Sequence, residues 1–223
     1  MALTGVAEAS ARIWLENALS GATGSMLGGR ASVGIGMRPA LVDLASGSVP
    51  TLTVHAADVN VCKISGATID ATFHDARRQN GHLAVASSQA SILLPPQALA
   101  SLLSARLGGG VTASVVPVSS SGQLDVRIGG LIDLYEQPGL KNGTTLIFTP
   151  TSVGFGGFTA PAGLAGGLTT KAAFSQKLPN LPLALHAQSV TVTPDGLLLS
   201  ASGSASETQP AKSTAPASGL RSC

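Results

Sequence analysis

The sequence predicts an α+β fold, mostly antiparallel β with short additional helices, and three observations carry that reading. Apolar residues recur at period two through most of the chain between Pro50 and Gly203, the spacing of strands with one buried face. Glycine- and proline-rich turns separate these runs roughly every ten to twelve residues, as in a continuous antiparallel sheet. Helical spacing is confined to a few segments, the longest of them near the N-terminus.

That N-terminal helix is Glu8 to Leu19, with Ile13, Leu15, Ala18 and Leu19 apolar and Arg12 paired with Glu16 four residues on. Gly21, Gly24, Gly28 and Gly29 end it, and Ser32 to Met37 forms a short strand. Pro39 suits the first position of a short helix running to Leu44, and Gly47 closes it. Three strands follow, marked by Leu52, Val54 and Ala56, by Val59 and Val61, and by Ala67, Ile69, Ala71 and Phe73. The polar "HDARRQNG" reads as a loop, and His82 to Leu94 as a long strand or strand pair stopped by Pro95-Pro96.

Gln97 to Leu107 is an amphipathic helix striped by Leu99, Leu102, Leu103 and Leu107, and three glycines terminate it. "VTASVVPV" and "QLDVRIGGLIDLYE" are strands around a serine-rich turn, and "GTTLIFTPTSVGF" reads as a hairpin turned near Thr149-Pro150-Thr151. Phe158 to Ser175 suits a short helix weakened by Gly163, Gly166 and Gly167. Leu181 to Gly203 is the last hairpin, turned at Pro194-Asp195-Gly196. Its apolar phase slips from odd Leu183 and Leu185 to even Val190 and Val192, which predicts a β-bulge near Gln188-Ser189 beside an apolar cavity. The expected organisation is one domain over residues 1–203, then a disordered polar tail over 204–223.

Charge is scarce. Asp, Glu, Lys and Arg make up 11% of the 223 residues, the net charge is +2, and residues 142–170 carry no charge at all. Only Arg77-Arg78 forms a basic pair, too little for a nucleic-acid partner. No run of about 20 apolar residues occurs, so no membrane-spanning helix is expected. The N-terminus lacks a basic start followed by an apolar run, so no signal peptide is read there. Cys62 in an apolar strand and Cys223 in the tail are not expected to pair.

Catalytic and metal signatures are missing. There is no G-x-S-x-G, phosphate-binding loop, H-E-x-x-H or paired C-x-x-C, and His55, His74, His82 and His186 have no ligand spacing. Asp70, His74 and Asp75 read as solvated polar residues at strand ends, and Asp133 and Glu136 flank Leu134-Tyr135 near a turn with no further group to complete an acid–base pair. The expectation is a protein that is not an enzyme and needs no cofactor or metal. The strands' reverse faces are small and neutral, where a solvated sheet would carry Lys and Glu. Two architectures share this pattern: a sheet curled round a helix and an apolar ligand, and a sandwich coated with Ser and Thr.

Four phrases in order resemble the LmeA-like phospholipid-binding family of actinobacterial cell-envelope proteins: "RPALVDLASGSVPTLTVHAADVNV", "SILLPPQALASLL", "LIFTPTSVGFGG" and "LPLALHAQSVTVTPDGLLLSASG". The resemblance spans roughly residues 8 to 203. It implies a fold like the tubular lipid-binding proteins, a strongly curved antiparallel sheet wrapped around a long N-terminal helix. It also implies a non-enzymatic, envelope or periplasmic phospholipid-binding protein that holds or transfers lipid in an apolar groove and supports glycolipid or lipoglycan maintenance. Members usually begin with a hydrophobic signal or anchor; none stands at Met1, which leaves a cytoplasmic copy as the other expectation.

On that reading, acyl chains of a phospholipid or other amphipathic lipid lie along Leu99, Leu102 and Leu103 of the helix and Leu183, Leu185, Val190, Val192, Leu197 and Leu199 of the last hairpin. A phosphate headgroup meets Arg38, or Arg77 and Arg78, because guanidinium binds phosphate through two parallel hydrogen bonds. A membrane surface is a further partner. Each leucine also suits ordinary core, and each arginine solvated surface. The alternative function is a structural or interaction protein of the envelope that holds no lipid.

Overall fold

Alternation at period two becomes strand along nearly the whole described chain. The structure is a computed structural model, and it describes residues 30–36, 42–43, 46–61, 64–79, 82–107, 110–156, 158–164, 173–178 and 184–207. The first sheet contains β1 (Arg30–Ile35), β2 (Ser48–Val61), β3 (Ile64–Gln79), β4 (His82–Val85) and β5 (Ser87–Leu94), with β12 (His186–Thr193), β13 (Gly196–Gly203) and β14 (Ser206–Glu207). Its order is β1-β2-β3-β5-β13-β12, all antiparallel, with β4 bridging β3 and β14.

Register sorts the two faces of this sheet. Ala31, Ala56, Ile69, Ile92, Leu199 and Val190 lie side by side across six strands. The neighbouring row is Ser32, His55, Asp70, Ser91, Ser200 and Ser189, pointing the other way. Two bulges keep long strands in phase. Between Ala56 and Val59 the register shifts, and Asp58 takes φ 57, so that both apolar residues stay buried. The expected bulge in the last hairpin is present between Ala187 and Ser189, and it returns Val192 to the buried face. A Cβ on Gly196, at φ 137, would stand 2.2 Å from the Leu94 carbonyl oxygen, so this turn admits only glycine.

The second sheet contains β6 (Ala113–Val118), β7 (Gln123–Ile128), β8 (Ile132–Lys141), β9 (Thr145–Phe155), β10 (Phe158–Pro161) and β11 (Phe174–Lys177). Its order is β10-β9-β8-β7-β6, with β11 on the same edge of β9 as β10. "GTTLIFTPTSVGF" is one strand rather than a hairpin. Pro150 falls in the gap between the residues of β9 paired with β11 and those paired with β10, where a missing N–H costs the ladder least. β3 likewise runs on through the polar "HDARRQ", with Asp75 at φ 50. Of Phe158 to Ser175, where a short helix is expected, the described residues form β10, a 3-10 turn at Ala162–Leu164 and the start of β11, while residues 165–172 lie outside the described residues.

A helix, α1 (Pro96–Leu107), sits between the sheets. Its stripe of Ala98, Leu99, Leu102 and Leu103 joins one buried cluster with Ile69, Ile92, Leu197 and Leu199 of the first sheet and Val126, Leu134, Leu146 and Phe148 of the second. A separate cluster of Val33, Ile35, Leu52, Val54 and Phe73 occupies the β1-β2-β3 end.

The expected fold class is therefore corrected. Neither sheet closes or curls strongly, and α1 is the one α-helix of defined extent among the described residues. At 12 residues it spans about 18 Å and buries a single stripe, too little to fill a tube. The second sheet supplies the rest of the core. The helix expected at Glu8 to Leu19, part of the one at Pro39 to Leu44, and both cysteines lie outside the described residues, as do residues 208–223. The first residues expected in the tail enter the sheet, where β14 pairs with β4.

Candidate functional site

Where the second sheet leaves the cover of α1, the core opens into a chamber. Leu103, Arg106 and Leu107 from α1 form its roof, and Val126, Ile128, Leu134 and Glu136 from β7 and β8 form its floor. Ala173, Phe174 and Ser175 close one side, and the volume is about 380 Å³. Phe174 is held by stacking on Phe148 at 4.4 Å between ring centroids. The Arg106 guanidinium lies over the other aspect of this wall, 5.1 Å from the Phe174 ring centre, and donates to the Ser175 carbonyl and Gln176 Oε1 at 3.4 and 3.3 Å.

A second cleft of about 440 Å³ adjoins the first through Arg106 and Ser175, and Lys177 lines it. The two together present leucine, valine, isoleucine and phenylalanine side chains on one side, an arginine common to both, and a second cation beside it. Volumes of about 300–1,000 Å³ are usual for small-molecule sites, so the chamber has room for part of a lipid rather than a whole diacyl molecule.

Glu136 is the unusual member. It is fully buried, and neither carboxylate oxygen has a hydrogen-bond partner among the described residues. Loss of water around the carboxyl pushes its pKa up from 4.5 to about 7. The group is thus close to half protonated at neutral pH, which lessens the cost of an acid under an apolar chamber.

A larger concavity, about 830 Å³, lies elsewhere, over the outer face of the first sheet. Ser32, Thr53, His55, Asp70, Gln89 and Ser202 are among its lining side chains. Its histidine is already engaged, with His55 Nδ1 2.6 Å from Asp70 Oδ1 across β2 and β3. This concavity mixes hydroxyls and amides with Val33, Val54 and several alanines but holds no guanidinium or ammonium, so it offers a phosphate no arginine or lysine partner. The bulged Gln188 lines this hollow of mixed polar and apolar character, rather than the apolar cavity expected there.

The residues singled out from the sequence separate. Leu103 lines the chamber and Leu102 the adjoining cleft; Leu99 is buried beside them on α1. Leu185, Val192, Leu197 and Leu199 are buried, and Val190 is partly buried, packed against the common core. Arg77 is exposed on β3 and lines none of these cavities, while Arg78 holds the register position opposite Leu83. Arg38 and Leu183 lie outside the described residues.

Sequence reasoning passed over Arg106 and Phe174, and set Glu136 aside as half of an incomplete carboxylate pair. Arg106 follows Leu103 at helical spacing, and Glu136 continues the inward alternation of Ile132 and Leu134, so both left a signal. Phe174 left none, because it stands in a segment expected to be helical. Among the described residues, no three His, Cys, Asp or Glu side chains gather where a metal ion would be held, and no helix is long and apolar enough to cross a membrane.

No curated protein and no solved structure matches the chain. The family described as LmeA-like phospholipid-binding matches residues 2–202, almost the full length of the sequence. The chain belongs to the LmeA-like phospholipid-binding family.

Proposed function

We propose that this protein binds a phospholipid at the junction of chamber and cleft, and does so without catalysis. One observation carries the reading: the Arg106 guanidinium stands between a chamber lined by Leu103, Val126, Ile128 and Leu134 and a cleft that Lys177 lines. A phosphate there accepts charge-assisted hydrogen bonds from Arg106, with Lys177 lining the same cleft. Part of one acyl chain enters the chamber against Leu103, Val126, Ile128 and Leu134. Leu99 backs that wall and Leu102 lines the cleft, whereas acyl contact with Val192, Leu197 or Leu199 would require the sheets to part, and Leu185 is buried away from both cavities. The family's description supports a lipid ligand. Residence in the cell envelope, at its membrane surface, and a role in holding or transferring lipid for glycolipid or lipoglycan upkeep complete the proposal.

Mass spectrometry of organic extracts from natively purified protein tests it. About one phospholipid per chain is expected, and Arg106→Glu should strip most of it. A clean extract from the native chain would favour an envelope protein that holds no lipid. Loss in Arg77→Glu, with retention in Arg106→Glu, would move the phosphate to β3 and overturn the Arg106 site.

A further inference from the structure

Within the charge-free stretch from Asn142 to Thr170, β9 and β10 meet at exposed aromatic side chains. Phe155 is 63% exposed and Phe158 is 83% exposed, on either side of the turn at Gly156. Leu131, 70% exposed, stands in the turn between β7 and β8. These positions share one end of the second sheet, because Ile132 pairs with both Ile128 and Phe155, and Phe155 pairs with Phe158. Val111 is exposed at the same end, where the Gly129 amide donates to the Thr112 carbonyl. Four of the six exposed large apolar side chains among the described residues thus collect at one tip.

We infer that this tip docks on a phospholipid bilayer, with Leu131, Phe155 and Phe158 entering the boundary between headgroups and acyl chains. Area favours a bilayer over a protein. The three side chains present on the order of 400 Å², whereas a stable protein interface takes about 800 Å² from each partner. Charge favours it too. The nearest ions, Arg127 and Asp133, already pair at 2.7 Å, so inserting the tip strips no isolated charge of water.

Position adds a third reason. Ile128 lines the chamber, and the same register row runs from Ile128 through Ile132 to Phe155 and Phe158. An apolar path therefore leads from the chamber to the tip, a route for a chain between bilayer and protein. The choice of a bilayer as partner rests on the lipid-binding reading, but the tip's exposure does not.

Flotation of the full chain with phosphatidylcholine vesicles tests the proposal. The native protein should float with the vesicles, and Leu131→Ser/Phe155→Ser/Phe158→Ser should bind them roughly tenfold more weakly or worse. Its circular dichroism and melting should stay native, because these side chains pack little. Arg106→Glu separates the two readings: it should lose extractable lipid yet still float. As a second measurement, Phe158→Trp should be quenched by lipids brominated near the glycerol, beyond the quenching of the parent's Trp14. A triple variant that floats like the native chain, a native chain that never floats, or an unquenched Phe158→Trp would each overturn the tip. So would a dimer in sedimentation that the triple variant abolishes, which would give the surface to a second copy of the chain.

Discussion

Glu136 ties stability to pH through a single carboxyl. In the unfolded chain it titrates near 4.5, and in the folded chain burial raises this to about 7. Below 4.5 both states carry the proton, and the buried acid has no ionisation cost. Between the two values only the unfolded state ionises, so stability falls as pH rises. Above 7 the loss is complete, at about 3 kcal/mol. Urea titrations across this window should show that decline in the native chain and a much flatter profile in Glu136→Gln. Equal slopes would mean that the carboxyl is not desolvated. Gly196→Ala should be costlier, because the added carbon meets the β5 backbone at Leu94 rather than a side chain that can rotate. A loss of about 3 kcal/mol or more is expected in the same titrations. The Pro-Asp-Gly turn announced itself in the sequence, since turn chemistry is local. The buried state of Glu136 did not, because it depends on what covers β8.

Alternation made strands legible and left their boundaries open. The bulge at Ala187 to Ser189 was readable from a change of parity alone. The turn expected at Pro150 was not there, because proline in a strand is harmless when the adjoining ladder is interrupted, and only the positions of β10 and β11 reveal the interruption. The pairing of His55 with Asp70 was equally hidden, as it requires the register of two strands. Both partners are more than half exposed, so a double-mutant cycle should find under about 1 kcal/mol of coupling. Arg106 matters more to its neighbour element. It is a bridge between α1 and β11, a four-residue strand at a sheet edge. In Arg106→Ala, amide exchange over Phe174–Lys177 should quicken severalfold while β7 and β8 stay protected. Unchanged exchange would show that the stacking of Phe174 on Phe148 holds β11 without it.

How the sheets meet was the least legible feature. A strand pattern of buried and exposed positions satisfies a curled sheet and a pair of facing sheets equally well, so the family's implied tube and the observed two-sheet core read alike in sequence. What differs is the partner of each apolar face, and that is set by contacts distant along the chain. Leu99 stands at the meeting point. It is 1% exposed, in a cluster that draws on α1, both sheets and the last hairpin. If this cluster is one cooperative core, removing its centre weakens both sheets together. Leu99→Ala should cost about 3 kcal/mol through lost burial and the cavity left behind. Native-state hydrogen exchange should register the same loss in β3 and β5 as in β7 and β8, since each strand's slowest amides exchange through global unfolding. A drop confined to the second sheet would show that α1 belongs to that sheet alone. The first sheet would then unfold as a separate unit, stabilised by Val33, Ile35, Leu52, Val54 and Phe73 at its other end.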